Sequence, residues 1–223
     1  AVAEHAVTLL LAVKRRVVQA DRATRDGDWQ RHLFLGRQLT GRTLGLFGAG
    51  NTGRKVATMV SGFDVECLAY DPYVDAETLP ENVSLVDSKR ELFALADDVS
   101  VHSPLTDETY HAISTEQLQE LPSHGVVVNT ARGGIIDEDA LAAVLEDGGI
   151  AGAGIDVYET EPPDETHPLF GLDTVVLTQH MAGLTAEALS AMSRGATANI
   201  RTVYDGGVPE TAVNADDIAW VDE

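Results

Sequence analysis

Apolar residues recur along this chain in two rhythms. Short runs of strand length, apolar on both faces, stand at TLGLFG (43–48), VECLAY (65–70), DVSVHS (98–103), GVVVNT (125–130), AGAGIDV (151–157) and TVVLTQ (174–179). Between them lie segments of helical spacing, at about 52–62, 88–96, 114–121 and 137–147. The last is marked at both ends, with Asp137 placed to cap its start and Gly148-Gly149 to stop it. Strands without a polar face, alternating with helices, predict a parallel sheet covered on both sides. Right-handed crossovers then make the fold α/β and doubly wound.

Two helices stand outside that alternation. Val2, Ala6, Leu9, Leu10, Val13 and Val17 recur at helical spacing at the start, with Lys14, Arg15 and Arg16 near the end of the run. Leu189, Met192, Ala196, Ile200 and Val203 form a stripe on a final helix over about 185–205. The connection TRDGDWQRHLFLGRQLTG is polar and punctuated by glycine, with Trp29 and Phe34 as apolar anchors. The first helix starts with neither Met nor a capping residue, which suggests a chain that begins inside a longer protein.

Charge narrows the class. Fifteen Lys and Arg stand against 36 Asp and Glu, a formal net charge of −21 spread along the chain. That field opposes nucleic acid and anionic membranes as partners. Only Lys14, Lys55 and Lys89 are lysines, and a lysine-poor acidic surface suits a protein hydrated at high salt, so a halophilic source is expected. Cys67 is the sole cysteine, so no intrachain disulfide can form, and a cytoplasmic location is the default. Its apolar neighbours suit a core residue better than a nucleophile. No apolar run is long enough to span a bilayer.

Candidate chemistry gathers where strands end. The first strand runs into GAGNTG, placing Gly48, Gly50 and Gly53 between a strand and a helix, and the second ends in AYDPY with Asp71. Glycines there permit a tight turn and let backbone amides approach a pyrophosphate at the helix start. An acid at the tip of the second strand can accept both adenosine-ribose hydroxyls and repels a 2′-phosphate, which favours NAD over NADP. The fourth strand ends in NTARGG, where Arg132 presents a planar fork that matches a carboxylate. Glu161 and His180 follow later strands at the same ligand-binding edge, and an imidazole held by a carboxylate fits general acid/base work.

With these motifs in hand, the sequence resembles the D-isomer-specific 2-hydroxyacid dehydrogenases over nearly its whole length, from VAEHAVTLLLAVKRR to GVPETAVN. Three blocks carry the resemblance: GLFGAGNTG to AYDPY, DVSVHSPLTDETYHAI, and VVVNTARGGIIDEDAL through AGAGIDVYETEPP to THPLFGLDTVVLTQHMAGLTAEA, the last two far more specific to the family than the glycine loop. AYDPYV, LTAEA and VPETAVN are most similar to short-type 3-phosphoglycerate dehydrogenases, enzymes of serine biosynthesis. The resemblance implies that Arg132 holds the substrate carboxylate and carbonyl oxygen. It makes His180 the proton donor to that oxygen during hydride transfer, oriented by Glu161. Asn51 and Thr52 would lie on the pyrophosphate, Asp71 on the ribose, and Ser103 and Pro104 beside the adenosine half. Thr130, Ala131 and Asp156 would flank the nicotinamide, with Asp156 accepting from its carboxamide and Gly183 closing over it.

The chain also departs from the family pattern. Asn51-Thr52 stands where a basic-Ile pair is commoner, and Gln179 and Met181 flank His180 where Pro and Ile or Leu are usual. The family carries an N-terminal segment that builds most of a substrate domain and is missing from this sequence. Residues 1–184 are therefore expected to be the NAD-binding domain and 185–223 a remnant of the other. The resemblance also implies a homodimer acting on a small 2-oxoacid or 2-hydroxyacid, with no metal. Two alternatives share these residues: a glyoxylate or hydroxypyruvate reductase, and an NAD-sensing corepressor.

Overall fold

Where the apolar runs fall, the computed structural model, which describes residues 1–215, forms a parallel sheet. Its strands are β1 (Thr43–Phe47), β2 (Glu66–Tyr70), β3 (Val83–Leu85), β4 (Asp98–Val101), β5 (Val126–Asn129), β6 (Gly152–Ile155) and β7 (Val175–Leu177). Their order is β3-β2-β1-β4-β5-β6-β7, and every pairing is parallel. The order reverses between β1 and β4, which opens a crevice at their carboxyl ends.

Helices cover both faces. They are α1 (Val2–Lys14), α2 (Val17–Arg25), α3 (Asn51–Val60), α4 (Lys89–Leu95), α5 (Thr115–Leu118), α6 (Glu138–Glu146) and α7 (Ala186–Tyr204). On one face Leu92, Phe93, Leu118 and Leu141 pack on Val99, Val101, Val127 and Ile155. On the other, Leu9 and Leu10 of α1 and Val56 and Val60 of α3 pack on Leu44, Leu46, Val126 and Val128. Each of these buried apolar side chains contributes about 1.5–3 kcal/mol relative to exposure. The glycines of β6 let α1 come close, since a Cβ on Gly154 would stand 2.8 Å from that of Leu9.

Asp137 caps α6 as its sequence predicts, accepting from Ala140 N–H at 3.0 Å. Three features differ from expectation. The first helix breaks at Arg16, whose left-handed φ of 51° starts α2, so Val17 leaves the apolar stripe and is exposed. Thus α2 and a 3₁₀ turn at Arg31–Phe34 replace part of the irregular connection. Strand β3 has no counterpart in the apolar pattern: three residues long, none of them fully buried, it shows no apolar periodicity. Helix α5 is only Thr115–Leu118, shorter than 114–121.

The described chain divides into two compact units, Val2–Ala182 and a smaller one that begins at Gly183 and includes Ala1. Within the smaller unit, Thr185 caps α7 by accepting from Ala188 N–H, and no residue of that helix is buried. Part of the predicted tail, residues 216–223, lies outside the described residues.

Candidate active site

The β1–α3 turn is shaped by its glycines. Gly48 has φ +101°, a left-handed conformation, and a Cβ there would stand 2.7 Å from Ser103 N. Gly53 packs against the carbonyl of Gly48 with no room for a side chain. Gly50 precedes α3, and a Cβ on it would meet nothing within the protein. The first amides of α3, from Asn51, Thr52 and Gly53, have no acceptor within the helix and carry its positive dipole end. Asp71, at the tip of β2, steadies this turn: its carboxylate accepts from Ala49 N–H at 2.9 Å and from Tyr73 N–H at 3.0 Å. Asp71 also lines a 760 Å³ cavity with Gly48, Tyr73, Ser103, Pro104 and Glu108.

A second cavity of 580 Å³ continues along the carboxyl edge between Thr52, His102, Ser103, Thr130, Ala131 and Arg132. Ser103 Oγ, Thr130 Oγ1 and His102 Nε2 are buried there without a hydrogen-bond partner. Sealed polar atoms of this kind cost free energy unless a ligand or water completes them. Burial also pushes the His102 imidazole down to about 4, so it is neutral at physiological pH. A phosphate-seeking helix start, a ribose-seeking acid and a row of orphaned hydroxyls between them fit a dinucleotide along this edge.

Arg132 stands at the corner after β5. Asn129 builds that corner: its Oδ1 accepts from Ala131 N–H and its Nδ2 donates to the Arg132 carbonyl, at 3.0 and 2.9 Å. The guanidinium is exposed, donates only to the Ala131 carbonyl, and has no acidic partner among the described residues. In a chain so rich in acids, that leaves its charge available to a ligand. The next residue, Gly133, touches the Tyr158 carbonyl so closely that no Cβ fits, which ties the arginine corner to the loop after β6.

That loop carries Glu161. Its Oε2 lies 2.6 Å from His180 Nδ1, while Oε1 accepts from Tyr158 N–H at 3.1 Å. Burial alone would raise the Glu161 carboxyl; the bonds from His180 and Tyr158 outweigh it and hold the group below its ordinary value. A 520 Å³ cavity bounded by Tyr158, Glu161, Phe170 and His180 adjoins the pair. His180 itself has φ 51°, left-handed for a residue with a Cβ, a conformation costing about 1–2 kcal/mol. Asp156 offsets that strain. Its carbonyl accepts from His180 N–H at 2.7 Å, and its carboxylate accepts from Met181 N–H, Ala182 N–H and Thr178 Oγ1 at 2.9, 2.9 and 2.6 Å.

The sequence-named residues therefore fall into three neighbouring groups. Glu161 and His180 meet directly. Arg132, Thr52, Ser103, Thr130 and Ala131 line one cavity; Gly48, Asp71, Ser103 and Pro104 line the other. Asp156 is fully buried under the His180 loop and already holds several protein donors. Gly183 opens the smaller unit and is described with it. Asn129, Gly133, Tyr158 and Thr178 join the site without being predicted from the sequence. Only Asn129 left a local sign, as an Asx residue two before the amide it caps.

A sheet of this order with a glycine turn and an acid at the switch point defines the dinucleotide-binding class of α/β oxidoreductase domains. Comparison with known proteins narrows the class. Residues 7–182 match the model of the D-isomer specific 2-hydroxyacid dehydrogenase NAD-binding domain, and the chain belongs to that family. A glyoxylate reductase of Thermofilum pendens is 42% identical over 220 residues, 96% of this chain and 65% of that protein. A D-3-phosphoglycerate dehydrogenase of Archaeoglobus fulgidus is 44% identical over 187 residues, 83% of this chain and 35% of that protein. The crystal structure of a glyoxylate reductase from Paecilomyes thermophila superposes with a TM-score of 0.89 at 32% identity, covering 96% of this chain and 65% of that one. The chain thus spans less than two-thirds of these relatives' length. Among the described residues, no helix is long and apolar enough to cross a membrane, and no group of three metal-ligating side chains gathers.

Proposed function

We propose that this chain is the NAD-binding part of an enzyme that interconverts D-2-hydroxyacids and 2-oxoacids, with D-3-phosphoglycerate as substrate. The observation that carries the reading is the 2.6 Å contact between His180 Nδ1 and Glu161, on the same sheet edge as the unpaired cation Arg132. Bound NAD would take a hydride from the alcohol carbon, or return it in the reverse direction. With Nδ1 turned to Glu161, His180 keeps Nε2 for the substrate hydroxyl, and takes its proton as the carbonyl forms. Arg132 would pair with the substrate carboxylate and face the oxygen where charge develops in the reverse reaction. Gly48, Gly50, Asn51, Thr52 and Gly53 would take the pyrophosphate, Asp71 the adenosine ribose, and Ser103, Pro104, Thr130, Ala131, Asp156 and Gly183 the rest of the dinucleotide.

The relative from Thermofilum pendens supports a second substrate, glyoxylate, on the same residues. Two copies would pair through the arm after α2, where Trp29 and Leu35 are 79% and 85% exposed. The acidic surface supports a cytoplasm of high salt. The test is steady-state oxidation of D-3-phosphoglycerate and reduction of glyoxylate by the full-length enzyme, beside NAD titration of this chain. Turnover of neither substrate overturns the catalytic reading.

A further inference from the structure

His5 on α1 is absorbed by none of the roles above, yet it touches the machinery under His180. Its Nε2 lies 3.0 Å from Thr178 Oγ1 and 3.5 Å from Asp156 Oδ1. Thr178 donates its one hydroxyl proton to Asp156 at 2.6 Å, so the hydroxyl can only accept from His5, and Nε2 must carry the hydrogen. A directed chain follows: His5 N–H to Thr178 O–H to the Asp156 carboxylate. That carboxylate in turn receives the amides of Met181 and Ala182, the two residues after the left-handed His180. Asp156 is fully buried, so each donor it holds counts for more than it would in water.

Other groups around His5 do not substitute for it. The nearby Tyr158 hydroxyl is committed to the Thr178 carbonyl at 2.8 Å. Lys14, on the same helix, is committed to Asp98. Neither reaches the Thr178 hydroxyl.

We propose that His5 is a positioning residue for catalysis: through Thr178 and Asp156 it fixes the loop that presents His180 to the substrate. The proposal rests on His180 being the catalytic acid/base. It locates part of the active site's rigidity in a residue of α1, far from His180 in sequence.

The experiment compares His5→Leu and His5→Gln, and Thr178→Val and Thr178→Ser, each pair removing or retaining the group that bonds. In the full-length enzyme, His5→Leu and Thr178→Val should lower kcat by about 10- to 100-fold, the usual scale for a displaced catalytic group. KM and the NAD Kd should stay within about twofold. His5→Gln, which keeps an N–H near the Nε2 position, and Thr178→Ser should recover most of the loss. In this chain, hydrogen exchange at the Met181 and Ala182 amides should speed up in the Leu and Val variants only. Unchanged kcat and exchange in His5→Leu and Thr178→Val overturn the proposal. So does an equal loss in His5→Gln, which would make the effect one of ring packing. If the wild-type enzyme is inactive on both substrates, the catalytic reading falls, and the amide exchange still decides whether His5 holds the loop.

Discussion

Lys14 Nζ lies 2.5 Å from Asp98 Oδ2, and both side chains are almost wholly sealed from solvent. Asp98 Oδ1 accepts at the same time from Val126 N–H at 3.0 Å. One carboxylate thus joins α1, β4 and β5. Removing the cation alone should be severe: Lys14→Met leaves a buried charge and should cost about 3–5 kcal/mol in urea unfolding. Combining it with Asp98→Asn, which keeps an acceptor for Val126, should recover most of that loss.

Gly133 and Tyr158 make a steric prediction. Gly133→Ala must push the arginine corner off the Tyr158 carbonyl, and should destabilise by about 1–3 kcal/mol. Gly62→Ala is the matched control, since a Cβ there meets nothing and the backbone is not left-handed. Equal stability of the two variants would contradict the contact.

Acid should weaken this fold through identifiable carboxylates. Burial alone would raise Asp97, but bonds from His124, Thr43 N–H and Arg42 hold it below its ordinary value, and Glu161 is lowered in the same way. A depressed folded value stabilises above the unfolded pKa and loses that contribution as pH falls through the folded one. Between about pH 5 and 2, Asp97→Asn should therefore show a flatter decline in unfolding free energy than wild type.

At the proposed catalytic pair the expectation is kinetic. Glu161→Gln and His180→Gln should lower kcat of the full-length enzyme by about 10²–10⁴-fold while the NAD Kd barely moves. Arg132→Lys should chiefly raise substrate KM, because an ammonium cannot match a carboxylate in two-point contact. NAD binding lost in step with kcat would point to a role in the cofactor site instead.

Salt should stabilise. With a formal net charge of −21, self-repulsion is screened as the Debye length shrinks from about 10 Å at 0.1 M to about 3 Å at 1 M. Thermal unfolding followed in rising KCl should show a climbing midpoint; a flat response would argue against salt adaptation.

What the sequence made legible follows from where periodicity is strong. A fully buried strand such as β5 is apolar at nearly every position, and Asp137 announces the start of α6. Strand β3 and the break at Arg16 were illegible, the one too short and half-exposed, the other a left-handed turn at a residue that rarely adopts it. At the site, Glu161 and His180 were legible as types at strand ends. The contributions of His5, Gly133 and Thr178 were not, because each depends on a neighbour brought close only by folding.

The packing of α1 has a practical consequence for modularity. Counted along the chain, α1 precedes the first strand and looks like a leader to the strand–helix repeat. In space, Leu9 and Leu10 are buried almost as completely as Leu44 and Leu46 of β1, and Lys14 neutralises a charge inside the sheet. A portable version of this domain, for grafting onto another catalytic partner, must therefore keep α1. Cut at Thr43, it would carry its cofactor-binding motif on a sheet with one face stripped of half its cover, only α3 remaining there.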